Sequence, residues 1–201
     1  MTRKFAAGAL LALALAGCSG AKQSASQGSD TGTFSVLLDT SKGPVVIDVD
    51  RNLAPKGAQR FYDLVKARYF DGARFYRVVP GFVVQWGAAA SPAVTKKWDV
   101  TIPDDPVKGS NSRGTVAFAA EPRPNTRSTH LFINLGNNGR LDSMGFAPIG
   151  RVTKGMEFVD RIYPGYGERP DQTLIGSQGN AYLEKDFPLL DYIKTARIVE
   201  R

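Results

Sequence analysis

In the stretch FYRVVPGFVVQWG, Phe75 to Gly87, one arginine, Arg77, stands among bulky apolar residues just ahead of a Pro-Gly turn and a second apolar run. In extended chain Phe75, Arg77 and Val79 share a face, and so do Val83 and Gln85 in the run that follows. A forked cation and an amide are thereby set beside apolar groups, with aromatic Phe82 next to the turn. Other chemistries fall away by subtraction. His130 is the only histidine, no strand-to-helix GxSxG elbow accompanies it, and Ser128 lies too near it in sequence to complete a nucleophilic triad. Neither GxxxxGK[ST] nor a strand-linked GxGxxG occurs, so no nucleotide is implied. A zinc site would have to rest mainly on carboxylates, so no metal or other cofactor is expected. Asp104 and Asp105 sit in a polar loop and read as solvated carboxylates. Cys18 is the only cysteine, which excludes an internal disulfide.

Positioning the arginine and its neighbours falls to short elements. Glycine and proline are plentiful, and apolar residues come in brief runs between turn signals, a β-rich pattern. TFSVLLDTSKGPVVIDVD makes two alternating runs around Ser41-Lys42-Gly43, a hairpin. The period then changes. Pro55 suits a first helical turn, Ala58, Phe61, Leu64 and Val65 form one stripe, and Lys66 and Arg68 lie at the carbonyl end. Short strands are predicted at about 73–79, 82–86, 115–119, 131–135, 147–152 and 192–199, and a second helix at 154–162 ended by Pro164. Two irregular stretches, 87–114 and 165–191, are long enough to be functional or to hold small elements, such as a short helix begun by Asn180. Seven or more strands with strands at both ends predict an all-β fold, a closed antiparallel barrel capped by two α-helices.

The chain has 201 residues and a formal charge of +7. No block of like charge exists, so the surface reads as mildly cationic and solvated, with no nucleic-acid partner. Residues 1–17 read as a lipoprotein signal peptide: Arg3 and Lys4, an apolar run from Phe5 to Ala16 too short to span a membrane comfortably, then LAGC ending at Cys18. LAGC resembles the bacterial lipobox, in which the cysteine is acylated. Residues 18–32 would then be a lipidated cysteine and a small, polar tether with a reach of roughly 45 Å, leaving 33–201 as one domain. Ser19 after the cysteine suggests, by resemblance, an outer-membrane lipoprotein of the cell envelope facing the periplasm.

Four stretches in order carry a further resemblance. FYRVVPGFVVQWG stands where the cyclophilin-type peptidyl-prolyl cis-trans isomerases have F-[HY]-R-[VI]-[IV]-P-x-F-M-x-Q-G-G. RPNTRSTHLFINLG is similar to that family's P-N-T-x-x-S-Q-F-F-I segment, RLDSMGFAPIGRV to its L-D-x-x-x-x-x-F-G-x-V run, and APKGAQRFYDLV to its first helix. The resemblance runs from about Thr33 to Val199 and implies an eight-stranded barrel with two helices. It implies that Arg77 is the catalytic arginine, Gln85 a polar orienter, and His130 a further catalytic contact where the family has glutamine. Phe82, Val83, Phe132 and Leu141 would line a proline pocket, Phe146 would fill a further position, and Ala119 and Ala120 would hold an extended client by their backbone. Arg77 would then face inward at the pocket's edge. Val83 replaces the usual methionine, Arg140 a frequent tryptophan, and one extra residue lies between Ala120 and Pro124. His130 would add a titration near pH 6.5. The implied clients are proline-containing polypeptides bound by a monomer. The alternative is a membrane-tethered peptide-binding module with little turnover.

Overall fold

The computed structural model describes residues 32–199. The expected signal peptide, Cys18 and all but the last residue of the expected tether lie outside the described residues.

The predicted hairpin is β1 (Thr33–Thr40) and β2 (Gly43–Asp50), with Val36 opposite Ile47 and Leu38 opposite Val45. Alternate side chains, Val36, Leu38, Val45, Ile47 and Val49, are buried, because a pleated strand with one covered face buries every second residue. The helix α1 (Pro55–Lys66) carries the predicted stripe of Ala58, Phe61, Leu64 and Val65 into that core. Ala54, the residue before it, supplies no side-chain cap. The exposed amides are met from afar: Asp105 accepts from Lys56 N at 3.1 Å and Gly57 N at 2.8 Å.

The remaining strands are β3 (Arg77–Val79), β4 (Val83–Trp86), β5 (Thr115–Phe118), β6 (Leu131–Asn134), β7 (Pro148–Lys154) and β8 (Ile193–Val199). All eight form one antiparallel sheet in the order β3-β4-β6-β5-β7-β2-β1-β8. The ladder does not close on itself, so the expected closed barrel is corrected to an open half-barrel ending in β3 and β8. Residues 72–75 are too irregular to extend β3. They meet the start of β8 through Gly72 N to Ile193 O, Ile193 N to Ala73 O and Phe75 N to Asp191 O, plus one isolated bridge between Arg74 and Tyr192. The core lies inside the curve, where Phe75 and Phe70 pack on Trp86 at centroid distances of 5.9 and 6.3 Å.

Among the described residues five α-helices stand where two and a short third were predicted. They include α2 (Pro92–Trp98), α4 (Gln172–Gln178) and α5 (Asn180–Asp186), the last begun by Asn180 as expected. α2 and α4 each bury a single residue, Thr95 and Ile175, so neither leaves an apolar stripe to read. Asp171 caps α4 by accepting from Thr173 N and Leu174 N. The predicted 154–162 helix shrinks to α3 (Met156–Val159), because Lys154 still pairs with Val46 in the sheet and Gly155 turns the chain at φ +84°. Among the described residues no helix is long and apolar enough to cross a membrane.

Candidate active site

The strands β4, β5 and β6 are covered on both faces, and their period-two geometry sorts them into two separate apolar clusters. Val84, Val116, Phe118, Leu131 and Ile133 face the main core. Val83, Ala117 and Phe132 point the other way, where Leu141 joins them and Phe82, Ala119 and Phe146 pack alongside. Leu141 arrives on a 3-10 turn (Gly139–Leu141). Asp142 pins that turn by accepting from Asn111 N at 2.8 Å, Asn111 Nδ2 at 2.7 Å and Ser110 Oγ at 2.7 Å. These hydrogen bonds hold the Asp142 carboxyl below its ordinary pKa.

Above this second cluster lies an open groove of about 870 Å3. All ten residues predicted from the sequence line it: Arg77, Gln85 and His130 with Phe82, Val83, Ala119, Ala120, Phe132, Leu141 and Phe146. Arg77 lines the edge of the groove. Val78 is the residue of β3 that packs into the main core, so its neighbour Arg77 lies on the opposite face, over the groove. Phe75 does not share the arginine's face, since it precedes the strand and belongs to the main core. Ala119 N donates to His130 O at 2.9 Å, so β5 and β6 remain paired to the groove's edge.

The polar residues form one chain. Arg77 sits opposite Gln85 in the ladder and donates from Nη1 to Gln85 Oε1 at 3.1 Å. Gln85 Nε2 donates to the Tyr76 hydroxyl at 2.9 Å, and that hydroxyl lies 2.7 Å from His130 Nδ1. Because the hydroxyl accepts from Gln85, its own proton is free to go to Nδ1. The neutral imidazole then carries its hydrogen on Nε2. Burial lowers the His130 pKa from 6.5, with Asp99 opposing by charge, and burial raises that of Tyr76. Both groups are therefore neutral at pH 7, and the expected titration near 6.5 moves to more acidic pH. The fold close to His130 is tight: a Cβ on Gly87, at φ +140°, would sit 2.3 Å from His130 Cα.

Among the residues of the site that escaped the sequence reading are Tyr76, Glu168 and Met144. Tyr76 lies inside the quoted stretch, yet alternation assigns it to the face away from Arg77, and only its long ring brings its hydroxyl to Gln85. Glu168 comes from the irregular 165–191 stretch and accepts from Arg77 Nε at 2.6 Å. Met144, 65% exposed, stands at the rim. Arg140 is exposed and stacks over Phe82 at 4.7 Å, while Arg77 lies 5.6 Å from the same ring. Asp105 corrects the solvated-carboxylate reading. It is 5% exposed, and beside the two α1 amides it faces Arg127 Nη1 at 3.3 Å. A carboxylate without water needs such partners.

Replacing Tyr76 with phenylalanine removes the acceptor for Gln85 and the donor to His130 Nδ1. The expected result is a fall in turnover of roughly tenfold, about the value of one orienting hydrogen bond. A wild-type pH profile should be flat above 6.5 and fall only in acid, because His130 is held neutral in the fold. The same shift lowers stability as pH drops from 6.5 toward the depressed value, where the unfolded chain takes up the proton first. Turnover and thermal unfolding measured from pH 5 to 8 check both signs.

Comparison with known proteins places this geometry in a family. A family model described as cyclophilin type peptidyl-prolyl cis-trans isomerase matches residues 35–175. Peptidyl-prolyl cis-trans isomerase A of Dickeya dadantii is 35% identical over 132 residues, 63% of this chain and 70% of that protein. A probable peptidyl-prolyl cis-trans isomerase of Brucella abortus is 32% identical over 171 residues, 80% of this chain and 84% of that one. Among solved structures, a cyclophilin-type isomerase of Cryptosporidium parvum, crystallised in the presence of the dipeptide Ala-Pro, aligns with a TM-score of 0.63 at 19% identity. That alignment covers 83% of this chain and 99% of the other.

Proposed function

The chain belongs to the cyclophilin-type peptidyl-prolyl cis-trans isomerases, and from that premise we propose that Arg77, held over an apolar floor, turns X-Pro bonds in exported polypeptides. Rotation about an amide faces a barrier of roughly 18–20 kcal/mol because the nitrogen lone pair is shared with the carbonyl. The X-Pro isomers differ little in energy, so the problem is one of rate. No covalent step is needed. A groove that binds the twisted form better than either planar form lowers the barrier. In the twisted form the nitrogen becomes pyramidal and can accept a hydrogen bond, which a planar, permanently charged guanidinium can donate. Phe82, Val83, Phe132 and Leu141 grip the ring and displace water, which strengthens that bond. Gln85 steadies the guanidinium, and His130 offers its Nε2 hydrogen to the client backbone near Ala119 and Ala120.

The observation that carries the proposal is the placement of Arg77 on the groove face, bonded to Gln85 and beside a separate apolar cluster. Raising a rate of about 0.01 per second to about 1000 per second asks for roughly 7 kcal/mol. One charge-assisted bond with preorganised packing is of that order. Exchange spectroscopy on a short X-Pro peptide tests it. Catalysed cis/trans exchange at substoichiometric protein is the expected result, whereas binding that leaves the exchange rate unchanged would mark a peptide-holding module instead.

We further propose that Cys18 is acylated and anchors the domain to the outer membrane, facing the periplasm. The support is the basic start, the Phe5 to Ala16 run and the LAGC sequence. Several acyl chains on one residue satisfy the two-signal requirement for stable anchoring. Cys18→Ser is expected to move the protein from the membrane fraction to the soluble fraction and to remove the acyl mass. A variant that stays with the membrane at unchanged mass would refute the anchor.

A further inference from the structure

The groove's catalytic cation is not held by the sheet alone. Arg77 Nε donates to Glu168 Oε1 at 2.6 Å, and Nη2 lies against the same oxygen. Glu168 comes from the chain between α3 and α4, which docks on β3 where that terminal strand has a free edge. Val78 N donates to Gly167 O at 3.1 Å, and Gly167, at φ +58°, turns the chain so that the next residue reaches the arginine. Five interactions fix this stretch. Tyr163 N donates to Asp191 Oδ2 at 2.8 Å. Tyr166 packs edge-on against Tyr163 and Phe187 at 5.2 and 5.1 Å. Arg169 stacks on the Tyr166 ring at 5.1 Å and donates from Nη2 to Gly165 O at 3.0 Å.

From this arrangement we propose that Glu168 is a positioning residue for isomerisation, fixing the plane of the Arg77 guanidinium so that its remaining N–H groups point at the client nitrogen. This rests on the role of Arg77 proposed above. A guanidinium has five N–H donors in one plane. Glu168 engages the Nε side and Gln85 engages Nη1, so contacts from two directions define the plane and leave donors on the terminal nitrogens uncommitted. An exposed ion pair usually contributes little, because two long side chains must be ordered to make it. Here the guanidinium of Arg77 lies over the Phe82 ring at 5.6 Å, and the backbone on either side of Glu168 is already tied to the fold. Most of that ordering is complete before a client arrives, which is the condition for a preorganised donor. The 165–191 stretch thus supplies a working part of the site. Its charge also places a carboxylate in the groove wall beside Gln172, facing whatever residue of the client lies past the proline pocket.

The test measures kcat and KM on an X-Pro peptide for wild type, Glu168→Ala, Glu168→Gln and Arg77→Ala, together with the Arg77 Nε–H proton resonance. In wild type that resonance is expected to be shifted and slow to exchange with water, and in Glu168→Ala to move to the position and exchange rate of an exposed arginine. Glu168→Ala is expected to lose about five- to tenfold in kcat with KM changed less than about twofold, since a misplaced catalytic group costs turnover more than ground-state binding. Glu168→Gln, which can still accept one hydrogen bond, should fall between the two. A kcat within about twofold of wild type, a rise in KM at constant kcat, or a loss of kcat with the resonance unmoved would each overturn the proposal. If Arg77→Ala itself leaves turnover intact, it is the catalytic role of Arg77 that fails, whatever the Glu168 variants do.

Discussion

Arg77→Ala is expected to lower kcat/KM on a short X-Pro peptide by about 100- to 1000-fold, with most of the loss in kcat. The planar ground state has no free lone pair on nitrogen and so gains little from the guanidinium, whereas the twisted state gains a charge-assisted hydrogen bond. Removing one preorganised donor from a water-poor site typically costs about 3–4 kcal/mol, which is the stated range of rates. Arg77→Lys should recover only part of the activity. An ammonium keeps the charge but cannot bond Gln85 and Glu168 in one plane while presenting a further donor. The fold itself should tolerate both changes, since Arg77 lies outside the main core and Glu168 is exposed to water. Two-dimensional exchange spectroscopy gives the rates, and thermal unfolding confirms that the variants are folded. Turnover within a few-fold of wild type in Arg77→Ala would remove the basis of the mechanism.

The largest effect on stability is expected at a residue that touches no client. Asp105 is a buried carboxylate that joins three segments: the start of α1 through Lys56 N and Gly57 N, its own loop, and Arg127. Arg127 is 1% exposed and also donates from Nε to Asp104 Oδ1 at 3.0 Å and from Nη2 to Pro103 O. Asp105→Ala leaves the buried guanidinium with Asp104 as its remaining counter-charge and two helix amides without an acceptor. Breaking one side of such a pair costs about 3–5 kcal/mol. For a domain of this size that is a fall in Tm of roughly 10 °C or more. Asp105→Asn, which keeps an acceptor but not the charge, should fall in between. Asp99 and Thr101, a few residues earlier on the same loop, line the groove, so KM should rise as well. Urea and thermal unfolding supply the stability measurement. An unchanged midpoint would show that the buried pair is dispensable.

The two residues differ in how far the sequence alone could reach. Arg77 was legible because its partners are near in the chain: Phe82 and Gln85 lie five and eight residues on, across one tight turn, and the ladder register puts Gln85 opposite. The same holds for the β1–β2 hairpin and for α1, whose period, Pro55 and terminal lysine are local signals. Asp105 was misread because its partners lie 48 and 22 residues away, and nothing beside it in sequence separates a buried carboxylate from a solvated one. Glu168, 91 residues from Arg77, was out of reach for that reason.

What the sequence by itself determined is therefore the set of short strands and the first helix, which follow from periodicity and turn chemistry within short spans of chain, and, through the resemblance of its motifs to a family, the ten residues that meet in the groove. Only the tertiary structure decided which face of β3 carries the arginine, since a single strand has two equivalent faces until a core covers one of them. It also decided that the sheet ends at β3 and β8 without closing, and that the stretch after α3 fills part of that end and reaches Arg77. Contacts between distant segments depend on the packing of the whole chain, and no local pattern of residues encodes them.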